Sequence, residues 1–134
     1  MEIYFKSILA SGGAIASYLF GGWTMAIQTL LVFVVIDFTT GFLAAGKDGS
    51  LSSRIGSRGI SKKVMIFLIV ALAHMVDQTL GDGHVIRDAT ITFYLANEGL
   101  SIIENSGKMG LPVPAVITQA IEILKGKDKK EDNK

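Results

Sequence analysis

The segment from Ser7 to Ile36 decides how this chain folds, and it reads SILASGGAIASYLFGGWTMAIQTLLVFVVI. It holds thirty residues without an Asp, Glu, Lys, Arg or His. A helix needs only about 20 apolar residues to cross the hydrocarbon core of a bilayer. A soluble surface helix keeps one polar face, whereas the apolar residues of this segment lie on every side. The segment therefore predicts an integral membrane protein whose main partner is the lipid bilayer.

The composition agrees with this class and excludes several others. The mean hydropathy is +0.45, and 49% of the 134 residues are hydrophobic. The net charge of +1 gives no reason to expect a nucleic-acid partner. The chain has no cysteine, so we expect no disulfide, thiolate metal site or cysteine nucleophile. Phosphate-loop, nucleophile-elbow and HExxH motifs are also absent from the sequence, so we expect neither an enzyme nor a cofactor.

The apolar segments predict an all-α fold with a transmembrane domain over residues 1–106. The expected helices cover about 3–20, 23–46, 62–80 and 85–106. The N-terminal run allows two divisions. Either two helices span on each side of Gly21-Gly22, or only the helix from Trp23 spans and the first part lies in the interface. Aromatic residues around this turn favour the first division, because such side chains prefer the membrane–water boundary. We therefore expect three or four transmembrane helices.

The C-terminal region is predicted to leave the membrane. Residues 107–126 form a turn and then a short amphipathic helix on the cytoplasmic side. Pro112 and Pro114 resist continuation of the preceding helix, and apolar residues recur after them at helical spacing. The tail over 127–134 is almost entirely charged, which predicts disorder.

Basic residues set the expected orientation. A polar loop is predicted over 47–63, after the second helix. Its cationic side chains are Lys47, Arg54, Arg58, Lys62 and Lys63. Short loops rich in Lys and Arg stay in the cytoplasm. We therefore expect a multi-pass protein of the cytoplasmic membrane, with the lysine-rich C-terminus also in the cytoplasm.

The last apolar segment carries a polar stripe. At helical spacing its polar residues fall along one side: Arg87, Thr90, Tyr94, Asn97, Glu98, Ser101, Glu104 and Asn105. A helix this amphipathic does not face lipid all round. Either the stripe joins a buried polar network, in which Arg87 pairs with Asp88 or Asp77, or it lines a water-filled pore built from many copies.

Asp37 is a second polar residue expected at membrane depth. Placing an ionisable side chain there costs about 2.5–3.5 kcal/mol on insertion scales. Asp37 and Thr40 either border an aqueous path or bond to another helix or copy, or Asp37 pairs with Lys62 or Lys63. Four residues apart, Gly41 and Ala45 form a pair of small residues that permits close helix packing.

His74 and Asp77 lie three residues apart and share a helix face. This spacing is compatible with a proton relay or a metal site, or with the polar end of a helix near the outer surface. We favour the helix end and expect no metal, because no third ligand follows at a suitable spacing.

Several motifs together resemble the toxin secretion/phage lysis holin family of Gram-positive bacteria and their phages. In chain order they are Asp37-x-x-Thr40-Gly41, Gly49-x-Leu51-x-Ser53, Gly59-x-x-Lys62-Lys63, Asp77, Tyr94-x-x-Asn97-Glu98-x-x-Ser101-Ile102-x-Glu104-Asn105 and Gly110-Leu111-Pro112-Val113-Pro114. The block that begins at Tyr94 is the most specific. The similarity covers the chain from about Asp37 to Leu124, and no motif matches in the N-terminal part.

The resemblance implies a holin, a small membrane protein that accumulates as a homo-oligomer of many copies. It then opens timed lesions that release an endolysin or a toxin, and the host cell lyses. An antiholin is a further partner that the resemblance allows, and no residue is implied to be catalytic. Two alternatives stay open. One is a small oligomeric channel or transporter for ions or solutes that uses Asp37 and Glu98, and the other is a non-lytic antiholin.

Overall fold

A computed structural model of the chain describes residues 1–81 and 83–132, with side chains up to residue 126. Within these residues the chain forms five α-helices. They are α1 (Glu2–Phe20), α2 (Met25–Asp48), α3 (Ser53–Leu80), α4 (Val85–Lys108) and α5 (Ala115–Asp132). The predicted all-α fold is confirmed.

Local chemistry explains where these helices begin and end. The hydroxyl oxygens of Thr24 and Ser52 accept hydrogen bonds from backbone N–H groups in the first turns of α2 and α3, at 3.3 and 3.2 Å. Glycines in the left-handed conformation follow the first three helices: Gly21, Gly49 and Gly81. A residue without a Cβ adopts this conformation without steric penalty, so each glycine stops its helix and reverses the chain.

Three described helices, α1, α2 and α3, are long and apolar enough to cross a membrane. The N-terminal run thus contains one continuous helix before the Gly21-Gly22 turn, as in the first of the two divisions. Helix α4 is more polar, yet it lies against α2 and α3 and shares their core. These features fit an integral membrane protein with three or four transmembrane helices.

Helix α4 lies at the centre of the bundle and packs against α2, α3 and α5. The core where α2, α3 and α4 meet contains Ile27, Leu30, Val34, Ile66, Val70, Ile91 and Leu95. Helix α1 contacts α3 and buries none of its own residues. Large apolar side chains such as Val35, Leu68 and Leu72 are more than half exposed, as expected of surfaces that face lipid.

The predicted loop over 47–63 is much shorter in the structure. Helix α3 already begins at Ser53, so the basic residues from Arg54 to Lys63 lie on a helix. Arg and Lys have good helix propensity, and the cap at Ser52 starts the helix early. The interior Gly59 faces the ring of Phe38, and a Cβ there would stand 3.6 Å from that ring, at ordinary van der Waals distance.

The predicted short C-terminal helix also has a different end. Helix α5 runs past Gly126 to Asp132, so it includes most of the tail for which disorder is predicted. Lys and Glu propagate a helix well, whereas composition alone predicts only that the tail is solvated. Residues 133 and 134 lie outside the described part of the chain.

Candidate functional site: two polar clusters between the helices

Asp37, Lys63 and Glu98 meet near the middle of α2, α3 and α4 and form what we call the central ion cluster. Lys63 Nζ pairs with Asp37 Oδ2 and lies 2.7 Å from Glu98 Oε2. The Asp37 and Glu98 side chains are only 7% and 8% exposed, and that of Lys63 is 19% exposed. Of the two lysines that the sequence offers to Asp37, Lys63 is the one that binds it.

Asn105 extends this cluster along the α2–α4 contact. Its Nδ2 donates to Asp37 Oδ1 at 3.0 Å and to Thr40 Oγ1 at 3.1 Å. Gly41 lies beside it, and a Cβ at Gly41 would stand 3.5 Å from Asn105 Nδ2. Gly41 thus lies in the α2–α4 contact, where a methyl group would touch the Asn105 amide at van der Waals distance. Ala45, its predicted partner in packing, lines a cavity at the same contact.

The packing around Lys63 is loose. A cavity of about 220 Å³ between α2 and α3 is lined by Asp37, Lys63, Ser101 and apolar side chains. An open groove of about 260 Å³ on the same side is lined by Lys63 and by residues such as Val35 and Phe67. Lys63 borders both. Polar contacts through Lys63, more than close apolar packing, therefore hold α3 to its neighbours at this level.

Asp77 belongs to a second polar cluster, at the opposite end of the bundle. Its carboxylate is fully buried and accepts hydrogen bonds from the backbone N–H groups of Ile86, at 3.0 Å, and Arg87, at 2.8 Å. These groups lie in the first turn of α4, which has unpaired amide groups and a partial positive charge. Asp77 therefore acts as a cap that α3 supplies to α4.

Arg87 connects the start of α4 to the end of α1. Its NH1 group donates to the carbonyl oxygens of Phe20, at 3.0 Å, and Gly21, at 3.1 Å. Its NH2 group pairs with Asp88 at 3.1 Å. A cation at a helix C-terminus is stabilised by the carbonyl groups that point toward it. Of the two acids considered for Arg87, Asp88 supplies the ion pair, and Asp77 binds the Arg87 backbone.

His74 lies in the same region but forms no recognisable metal site. Its ring stacks on that of His84, with centroids 6.0 Å apart, and its buried Nδ1 has no hydrogen-bond partner within the described chain. Asp77 is engaged with α4. Among the described residues there is no group of three or more His, Cys, Asp or Glu side chains that could hold a metal ion.

The polar stripe of α4 divides into an inner and an outer row. Arg87, Glu98 and Asn105 are buried, whereas Asn97 and Glu104 are exposed. Thr90, Tyr94 and Ser101 are half-buried between the two rows. Asn97 borders a groove of about 310 Å³ between α3 and α4, which Tyr94 also lines. The sequence leaves open whether the stripe forms a buried network or faces water. In the structure the inner row is buried and the outer row is exposed.

The cationic residues expected to set the orientation lie at the same end of the bundle as Asn105. Arg54, Arg58 and Lys62 are exposed on the first turns of α3. Lys47, at the end of α2, donates to the backbone carbonyl of Lys108 at the end of α4, at 3.3 Å. This end of the bundle is thus strongly basic.

Three contacts had no part in the sequence interpretation. Asp77 caps α4, Arg87 binds the end of α1, and Gly99 of α4 lies directly under Ile121 of α5. A Cβ at Gly99 would stand 2.6 Å from Ile121 Cδ1, so only glycine permits this approach. A glycine within the apolar part of an otherwise helical segment is the one signal that indicates such a contact.

The chain is similar to a set of known bacterial and phage proteins. A family model described as the bacteriophage holin family matches residues 14–126, and so includes part of the N-terminal region where no motif was found. An uncharacterized protein of Halalkalibacterium halodurans is 47% identical, over 97% of this chain and 100% of the relative. One of Listeria innocua is 44% identical, over 100% of this chain and 96% of the relative.

A phage relative carries a more informative name. The probable holin of Bacillus phage phi105 is 36% identical, over 88% of this chain and 87% of the relative. No solved structure gives a significant match to this chain.

Proposed function

This chain belongs to the bacteriophage holin family, and we propose that it acts as a holin that assembles in the bacterial cytoplasmic membrane and opens lesions at a set time. The lesions release an endolysin or a toxin, and release of the endolysin lyses the host. The observation that carries the proposal is α4, a helix with two rows of polar side chains held among apolar helices. If the helices rearrange, the polar side chains of α4 can exchange contacts with protein for contacts with water.

Association of copies is the first step of the proposed mechanism. Lipid supplies no hydrophobic force between helices, so membrane helices associate through close packing and polar contacts. Asn97 lies exposed near the middle of α4, and its side chain makes no hydrogen bond within the described residues. A side-chain amide both donates and accepts, so Asn97 can pair with its equivalent in a second copy.

Growth of the assembly is the second step. A chain of 134 residues is too small to enclose a wide aqueous path, so many copies must contribute α4. In large assemblies the polar rows of α4 come to face water and the membrane leaks. The basic end of the bundle supports an orientation in which the start of α3 and the turn before α5 lie in the cytoplasm, since cationic segments resist translocation.

Induced expression in a bacterium tests the function. The chain is expressed with a cytoplasmic endolysin that has no export signal, while culture density and a potential-sensitive dye are followed. We expect growth to stop abruptly after a reproducible lag, with loss of membrane potential followed by lysis. The endolysin alone is the control and leaves the cells intact. An intact membrane potential without lysis, from a protein that accumulates in the membrane, contradicts the proposal.

The same experiment separates the alternatives that the sequence leaves open. An antiholin is harmless when expressed alone and delays lysis when expressed with a lytic relative. A channel or transporter with a fixed site moves ions reversibly, does not kill abruptly and does not release the endolysin.

A further inference from the structure

The polar groups that would face water in a lesion are hidden within each copy. Asp37, Glu98 and Asn105 are each less than one-tenth exposed, and their side chains bond to other parts of the same chain. A pore cannot be lined by these groups unless the bundle first opens. The contact that keeps the bundle closed is therefore a point at which opening can be controlled.

Lys63 is the residue that binds both buried carboxylates. In the described part of the chain, the ion pairs of Asp37 and Glu98 are formed with Lys63. Asn105 donates to Asp37, but it carries no charge. Without the ammonium group, two carboxylates would lie close together in a medium of low dielectric, where like charges repel strongly.

Open space beside Lys63 increases the importance of its two ion pairs for holding α3 at this level. The cavity of about 220 Å³ and the groove of about 260 Å³ that border Lys63 reduce the apolar contact that could otherwise hold α3. Gly56 and Gly59 lie on the α3 side of the first cavity and add no side-chain contact. The N-terminal part of α3, up to Lys63, is thus held to α2 and α4 largely by the two ion pairs, whereas the rest of α3 is held by Ile66 and Val70 in the core and by Asp77.

We propose that Lys63 is a latch that holds each copy closed and so sets the time at which lesions open. While Lys63 binds Asp37 and Glu98, the inner polar row of α4 is sealed. When the N-terminal part of α3 moves away, Asp37, Glu98 and Asn105 face water and can line an aqueous path between copies. This inference rests on the proposed holin function, because it concerns the regulation of that same polar site.

Substitution of Lys63 tests the latch through the timing of lysis. Lys63→Met keeps an unbranched side chain, one atom shorter, but removes its charge, so we expect a lag at least twofold shorter at equal protein level. Lys63→Arg can still pair with both carboxylates, and we expect it to keep most of the lag. Lys6→Met makes the same chemical change at an exposed site on α1 and serves as the control, with an unchanged lag.

A second measurement does not depend on lysis. The chain has no cysteine, so Ser101→Cys places a single thiol in the cavity beside Asp37 and Lys63. In isolated membranes we expect a water-soluble maleimide to label this thiol several-fold faster when Lys63→Met is also present. A thiol introduced by Val32→Cys, on an exposed apolar surface of α2 away from the cavity and the groove beside Lys63, should show no such increase.

Each outcome bears on a different part of the proposal. If Lys63→Met accumulates in the membrane but leaves the lag and the Ser101→Cys labelling rate unchanged, or abolishes lysis, the latch is wrong. If Lys63→Met does not accumulate, Asp37→Asn replaces it, since that change weakens only one ion pair and should shorten the lag less. If no variant and no wild-type chain lyses cells, the holin function fails, while the labelling rates still decide whether Lys63 closes the bundle.

Discussion

Single charged side chains connect the helices at both polar clusters, and in the cluster of Asp77 and Arg87 most of their partners are backbone groups. Asp77 binds backbone N–H groups at the start of α4, and Arg87 binds backbone carbonyls at the end of α1. Helix ends carry unpaired polar groups and partial charges, so they can satisfy a buried ion without a second buried ion. A charged residue within an apolar bundle therefore does not by itself indicate a pore.

Replacement of Asp77 should uncouple α3 from α4. We expect Asp77→Ala to destabilise the protein by about 1–2 kcal/mol, the usual effect of losing a helix cap. Unfolding by a denaturing detergent in mixed micelles measures the change. Asp77→Asn keeps one acceptor oxygen, so its stability should lie between those of the wild type and the alanine variant. Equal stability of all three chains would show that the cap contributes nothing.

Helix α4 shows why an amphipathic pattern alone does not locate a site. The helical period correctly groups its polar residues along one side, because that grouping depends only on local spacing. Whether Glu98 or Asn97 faces inward depends on how α2 and α3 pack against α4, and no local pattern contains that information. The same reason explains why Lys63, and not the adjacent Lys62, binds Asp37.

The contact between α4 and α5 depends on the absence of a side chain at Gly99. Gly99→Ala would place a methyl group within 2.6 Å of Ile121 Cδ1 and 3.1 Å of its Cγ atoms, so α5 must shift. We expect limited proteolysis within α5 to become several-fold faster. Ile121→Ala makes room for the methyl group, so the double variant should recover part of the protection.

Gly107→Ala provides the matched control for that experiment. Gly107 also lies in α4, but a Cβ there would meet nothing within 4 Å. This change should leave cleavage of α5 unaltered. Faster cleavage in both alanine variants would mean that the effect arises from the helix backbone and not from contact with Ile121.

The described helices have a largely apolar outer surface along their length, and Asn97 adds an exposed amide near the middle of α4. The long charge-free segment and the apolar runs indicate this surface in the sequence, since lipid contact requires apolar side chains whatever the tertiary arrangement. The start of α3 was less predictable. Its glycines, serines and basic residues are typical of a loop, but in the bundle Gly59 lies against Phe38 as part of a helix.

Association of copies should depend on Asn97. We expect Asn97→Leu to weaken self-association about three- to thirtyfold, because a side-chain hydrogen bond between membrane helices contributes roughly 0.6–2 kcal/mol. Energy transfer between labelled copies in vesicles measures the association. Asn97→Gln retains an amide and should lose less. Unchanged association in Asn97→Leu would place the contact between copies on another surface.

The position of Asp37, Lys63 and Asp77 in the chain has a consequence for biosynthesis. These residues bind α4, and all of them precede α4 in the sequence, so they have been translated before α4 leaves the ribosome. A helix that is more polar than α1, α2 and α3 therefore enters a membrane in which its polar partners are already present. We expect the helices already inserted to assist the insertion of α4. A nascent chain that stops before Val85 would lack the helix that these residues bind.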